Sequence, residues 1–259
     1  MPISEPHDDA PIRNEGVLET SSQQYGEYFD TRRPIEAATG IIYAWHKRML
    51  SVLIEGIPGL RLMRVLEVGA GWGYFARACH ERSIEYMGLE LNVEQAARLR
   101  IAGFDVTVAT VPPFPQGAPV QVVYFSHVLE HATSFLHALD MLKSAHERLD
   151  QRGYVVVICP DLLSCKEEFW SSDWSHGFPT TLRRLRQIVT EAGFEIVDAR
   201  HHIAGLTNPL AVFVVAQLMR LVPVNLLDLI LKPFTNRTLI YSFMTIFGWR
   251  QTLVIGRKK

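Results

Sequence analysis

Cysteine is scarce in this chain. Cys79, Cys159 and Cys165 cannot build a disulfide framework across 259 residues, and none belongs to a Cys-x-x-Cys pair of the zinc-site type. A reducing, cytoplasmic compartment fits that usage, and no metal site is expected. Charge of one sign is also missing. Lys and Arg number 26 against 27 for Asp and Glu, which excludes a protein held to nucleic acid by its overall charge. Long apolar runs are absent too. Nothing reaches the roughly 18 uncharged apolar residues of a membrane span. The nearest stretch, 203–219, is broken by Thr207, Asn208, Pro209 and Gln217. Residues 1–19 are polar and acidic, with Pro2, Pro6 and Pro11, so they do not read as a secretory leader. No internal repeat stands out.

What is present is a globular composition, 48% hydrophobic and 20% charged. Residues 1–33 read as a flexible N-terminal segment and 34–259 as one domain. The spacing of Ile35, Ile42, Trp45, Met49, Leu50 and Leu53 predicts an amphipathic helix over 34–55. Short apolar strands then alternate with helices. Strands are predicted at 64–68, 85–91, 104–109, 120–125, 154–159, 194–199 and 252–255. Helices are predicted at 74–82, 92–102, 133–149 and 180–192. This rhythm implies an α/β fold with a doubly wound, mostly parallel seven-stranded sheet. Residues 206–247 interrupt it, with 26 of 42 positions apolar and four charges, Arg220, Asp228, Lys232 and Arg237. Pro209, Pro223 and Pro233 divide them into short pieces, so this is an apolar helical insertion before the last strand.

The chemistry concentrates at Glu67-Val-Gly69-Ala70-Gly71-Trp-Gly73, directly after the first strand and at the start of a helix. Glycines there let the backbone approach a ligand. The helix start offers unpaired N–H groups. Glu90 ends the next strand, where a carboxylate can accept both hydroxyls of a ribose. Together they indicate a cofactor containing a nucleoside. Gly71-x-Gly73-x-x-Ala76 also satisfies a loose dinucleotide fingerprint, which keeps an NAD-dependent oxidoreductase open. Gly69 and Ala70 separate that fingerprint from the strand, however, and a carboxylate at position 67 suits a cationic cofactor better than a pyrophosphate.

These residues, with Gly88-Leu89-Glu90, Ser126-His127-Val128-Leu129-Glu130-His131 and Glu191-Ala192-Gly193-Phe194, resemble the class I S-adenosylmethionine-dependent methyltransferases. The likeness is to the small-molecule branch related to ubiquinone-biosynthesis methyltransferases, and it spans roughly 60–200. It implies a Rossmann-like methyltransferase fold with an antiparallel last strand, and S-adenosyl-L-methionine as cofactor. It places Glu67, Gly69, Ala70, Gly71 and Gly73 along the methionine moiety, Glu90 on the ribose, Leu91 beside the adenine, and Ser126 and His127 beneath the reacting methyl. No Asn/Asp-Pro-Pro-Tyr motif follows the fourth strand, which argues against an amide or nucleobase nitrogen as acceptor.

The expected activity is methyl transfer to a small molecule, at oxygen. A non-catalytic cofactor-binding protein is the remaining alternative. A hydroxyl acceptor calls for a base, most simply histidine. His127, at the tip of the fourth strand, is the first candidate. His176, in the loop after the fifth, is the second. Asp161 either orients one of these groups or forms a turn. In the family, the segment holding Tyr25, Tyr28, Arg32 and Arg33 often folds over the cofactor. The insertion at 206–247 can be a lid over an apolar or lipid-linked acceptor, a peripheral membrane contact, or a homodimer interface.

Overall fold

The computed structural model describes residues 36–171, 173–222, 244 and 248–259. The N-terminal segment, with Tyr25, Tyr28, Arg32 and Arg33, lies outside these residues, as does most of the insertion.

Helix α1 (Glu36–Gly56) comes first, then β1 (Val65–Val68), α2 (Tyr74–Glu81), β2 (Tyr86–Glu90), α3 (Val93–Ile101), β3 (Val106–Val108) and β4 (Val120–Ser126). Next are α4 (Phe135–Arg148), β5 (Leu149–Pro160), two single turns α5 (Leu162–Cys165) and α6 (Glu168–Ser171), then α7 (Leu182–Glu191), β6 (Phe194–His202), α8 (Pro209–Arg220) and β7 (Gln251–Lys258). The seven strands form one sheet in the order β3-β2-β1-β4-β5-β7-β6, with β7 antiparallel to both neighbours. The expected Rossmann-like architecture is therefore present.

Two-residue alternation splits the central strands between two cores. Leu66, Val123, Phe125, Val155 and Val157 face Ala138, Leu142, Leu185 and Ile188 of α4 and α7. Val65, Val122, Tyr124, Val156 and Ile158 face Met49, Leu50, Leu53 and Phe75 of α1 and α2. Strands buried on both faces lose the polar alternation of surface strands, which is why they read as unbroken apolar runs. Asparagine and hydroxyl caps fix several helix starts: Asn92 Oδ1 accepts from Gln95 N at 3.1 Å, Ser134 Oγ from His137 N at 3.1 Å, and Thr181 Oγ1 from Arg184 N at 3.2 Å.

Strand boundaries differ in places from the sequence reading. Strand β5 starts at Leu149, directly after α4, instead of at Tyr154, because Leu149 already pairs with Val120. Strand β6 runs to His202, beyond Ala199, because its ladder with β7 continues through His202 and Gln251. The strand order reverses between the parallel neighbours β1 and β4, and the crevice outside their carboxyl ends is where such sheets bind ligands. Helix α8 supplies one expected helix of the insertion. It buries Val212 and Ala216 against Ile203 and exposes Leu210 (71%) and Phe213 (59%). Among the described residues, no helix is long and apolar enough to cross a membrane.

Candidate active site

The turn after β1 is anchored from both sides. Gly69 N and Ala70 N both donate to Leu89 O, at 2.8 and 3.1 Å, and Gly73 N donates to Ala70 O at 3.0 Å. Gly69 (φ +74°) and Gly73 (φ +73°) hold left-handed backbone that L side chains rarely adopt. A Cβ on Gly69 would stand 2.7 Å from Val128 Cγ2, and one on Gly73 2.4 Å from Leu99 Cδ2.

Glu90, buried at the end of β2, holds the turn from the other edge. Its Oε2 accepts from Gly71 N at 2.8 Å and its Oε1 from Asn92 N at 2.9 Å. Gln95 Nε2 closes the loop on Gly71 O at 2.8 Å. Burial raises the Glu90 carboxyl, against the pull of the backbone N–H groups of Asn92, Gly71 and Leu91. A carboxylate offers about four lone-pair positions, so Glu90 keeps capacity to accept from a ribose hydroxyl.

Glu67 lies on the α2 side of β1 and takes the Tyr86 hydroxyl at 2.6 Å. Burial pushes its carboxyl well above the usual range. The Tyr86 hydrogen bond opposes this shift and Glu90 adds to it. An ammonium group brought to this end of the turn would reverse that shift. Leu91 and Ser126 are half-buried and Ala70 is buried at the same edge. The three glycines and the two acids therefore fit an adenosyl cofactor with a cationic tail.

His127 stands across the crevice. Its φ of +57° is strained for a non-glycine residue. Its N–H donates to Ile158 O at 2.9 Å, and its Nδ1 lies 3.3 Å from Glu130 Oε1. Glu130 is fully buried in the 3-10 turn Leu129–His131. Burial alone would raise its carboxyl, but the His127 hydrogen bond and the charges of His127, His131 and His176 outweigh that and hold it at about 2.

His176, the second candidate, is buried beyond Glu130. Its Nδ1 contacts Phe169 O, and its ring lies 4.9 Å from the His131 ring. The two predicted histidines thus meet in one cluster through Glu130. Asp161 proves structural. It caps α5 through Leu163 N at 3.4 Å and pairs with Arg250 at 3.0 Å and His201 at 3.3 Å.

Three residues of the crevice wall escaped the sequence reading. Trp45 of α1 has the rings of His46, His127 and His202 around it, at 4.6, 6.0 and 6.4 Å. Trp45 Nε1, His46 Nδ1 and both ring nitrogens of His202 are buried without hydrogen-bond partners. Burial and the charge of His127 lower the imidazoles of His46 and His202, each to about 3. Helical spacing marked Trp45 as core, and the shorter predicted β6 ended before His202.

Residues 42–199 match the family model described as a methyltransferase domain. The chain belongs to that family. With this fold and this glycine turn, it is a class I S-adenosylmethionine-dependent methyltransferase. No curated protein matches it. Its fold is shared with an S-adenosylmethionine-dependent methyltransferase from Archaeoglobus fulgidus, at 22% identity and TM-score 0.54, covering 82% of this chain and 92% of that one. It is also shared with a possible histamine N-methyltransferase from Thermotoga maritima (16%, TM-score 0.57, 94% and 99% covered). A third is the cyclopropane synthase MmaA2 from Mycobacterium tuberculosis (16%, TM-score 0.53, 76% and 78% covered).

Proposed function

We propose that the enzyme methylates a small-molecule acceptor at oxygen. The observation that carries this reading is the His127–Glu130 pair at the tip of β4. S-adenosylmethionine supplies an electrophilic methyl group on a sulfonium. The chain must hold the cofactor, place the acceptor and accept a proton. The glycine turn with Glu67 and Glu90 does the first. A buried carboxylate at Nδ1 fixes the ring of His127 and leaves Nε2 to receive the hydrogen of a hydroxyl. Trp45, His46 and His202 supply an aromatic, water-poor wall for positioning, which is most of what methyl transfer asks of a protein.

The exposed apolar face of α8, with Leu210, Phe213 and Leu218, supports an apolar or lipid-linked acceptor. The same face supports peripheral membrane contact or a homodimer. A nucleic-acid acceptor has no support from the even charge balance. The test is release of S-adenosylhomocysteine against phenols, alcohols, amines and lipid-linked sugars, with the product's methyl located by mass spectrometry and NMR. An O-methyl product is expected. A product methylated only at nitrogen or carbon overturns the oxygen assignment.

A further inference from the structure

A second buried constellation lies behind His127. One ring nitrogen of His131, one of His176 and an oxygen of Glu130 lie within 4.8 Å of one another. Their hydrogen bonds fix the protons. Ser175 Oγ gives its single proton to Asp173 Oδ1 at 2.6 Å, so at 2.8 Å it can only accept from His131 Nδ1–H. Phe169 O is likewise only an acceptor, so the proton of His176 sits on Nδ1. In its neutral form each ring therefore offers the lone pair of Nε2. Glu130 adds a fully buried carboxylate, with Oε1 3.3 Å from His127 Nδ1. Two imidazoles and a buried carboxylate thus converge in the interior at metal-ligating distance of one another.

We propose that Glu130, His131 and His176 bind a divalent first-row transition-metal ion. Two imidazoles and one carboxylate suit zinc, iron(II) or manganese; magnesium and calcium prefer oxygen donors throughout. The Nδ1 contacts to Ser175 and Phe169 are the outer hydrogen bonds that metal-bound histidines normally make. Ligand bonds of about 2.0–2.2 Å require the three side chains to close slightly around the ion. Oε1 of Glu130 is the oxygen beside His127, which leaves Oε2 to coordinate. Three protein ligands leave a tetrahedral ion one further position for an exogenous oxygen. Glutamate and histidine adjacent in the loop after β4, with a histidine 45 residues on, are the signal in the sequence, and it has no Cys-x-x-Cys component.

The test uses the full chain, stripped with a chelator and then titrated with Zn²⁺ by calorimetry and with Co²⁺ by visible absorption. One equivalent should bind, and Co²⁺ should show the ligand-field bands of a low-coordinate ion. His176→Ala and Glu130→Gln should lose the stoichiometric site. Ser175→Ala should weaken it by about 10–100-fold. His80→Ala, an exposed histidine far along α2, should change nothing. S-adenosylhomocysteine affinity is measured on every sample to show that the variant is folded. Wild-type protein that binds S-adenosylhomocysteine but no equivalent of metal overturns this proposal and leaves the methyltransferase reading intact. Stoichiometric binding that survives in His176→Ala, Glu130→Gln and Ser175→Ala overturns it as well.

Discussion

The two sides of the crevice treat their polar atoms in opposite ways. On the β1–β2 side, Glu90 spends both oxygens on Gly71 and Asn92, Gln95 closes on Gly71 O, and Glu67 takes the Tyr86 hydroxyl. On the β4–β6 side, Trp45 Nε1, His46 Nδ1 and both His202 nitrogens are buried without hydrogen-bond partners. An unmet buried polar group costs about 1–3 kcal/mol. One half is thus a finished cradle, held in its binding shape by its own backbone. The other half carries an unsatisfied demand that a substrate or ion can meet. The difference implies that changes to the cradle should act on cofactor affinity, and changes to the wall on turnover.

The sharpest trial of that division is His127→Ala. Loss of the proton acceptor should lower turnover by roughly 10²–10⁴-fold, while S-adenosylhomocysteine affinity stays within a few fold. A parallel fall in affinity would erase the distinction between the two sides.

Gly73→Val probes the opposite side. Valine would have to adopt a left-handed conformation with its Cβ against Leu99 Cδ2. Strain of about 1–3 kcal/mol, added to the displaced turn, should weaken S-adenosylhomocysteine binding on the order of 100-fold. Unchanged calorimetric affinity in the folded variant would show that the turn is not the cradle.

Glu90→Ala removes a doubly accepting carboxylate from the same turn. Binding should weaken by about 1.5–3 kcal/mol, or roughly 10–150-fold. Turnover at saturating cofactor should fall much less. If kcat falls and the dissociation constant does not, Glu90 belongs functionally with the wall.

The same division explains what was legible in the sequence. The cradle is local. Strand, glycines, helix start and Glu90 fall within about 25 residues, and each feature has a backbone reason that shows in residue type. The doubly wound sheet followed from the strand–helix rhythm, because apolar period and turn residues are local signals as well. The wall is assembled from α1, β4, the loop after β5, and β6. His127 was found because it follows a strand at the switch point. Glu130 was quoted in the motif, but nothing in its neighbours announced a buried carboxylate beneath His127. Trp45 and His202 satisfied core spacing equally well, and only the packing of α1 across the strand tips brings them to the crevice.

The smallest expected effect concerns pH and the unmet nitrogens of the wall. His202 is fully buried. Burial, and then the charges of His127, His201 and Arg200, lower its imidazole from 6.5 to about 3. The unfolded chain therefore takes up the proton first, near pH 6.5, while the folded chain resists until about pH 3. The stability due to neutral His202 is complete above pH 6.5 and is lost as pH falls towards 3. At pH 5 the loss from this residue is about 2 kcal/mol. Denaturant titrations of the cofactor-free protein at pH 7.5 and pH 5 measure it. His202→Gln keeps a polar group of similar size but cannot titrate, so it should shrink the difference between the two pH values by about that amount. An unchanged difference in this variant would mean that His202 already has a proton-stabilising partner, and that the wall's demand rests on Trp45 and His46 instead.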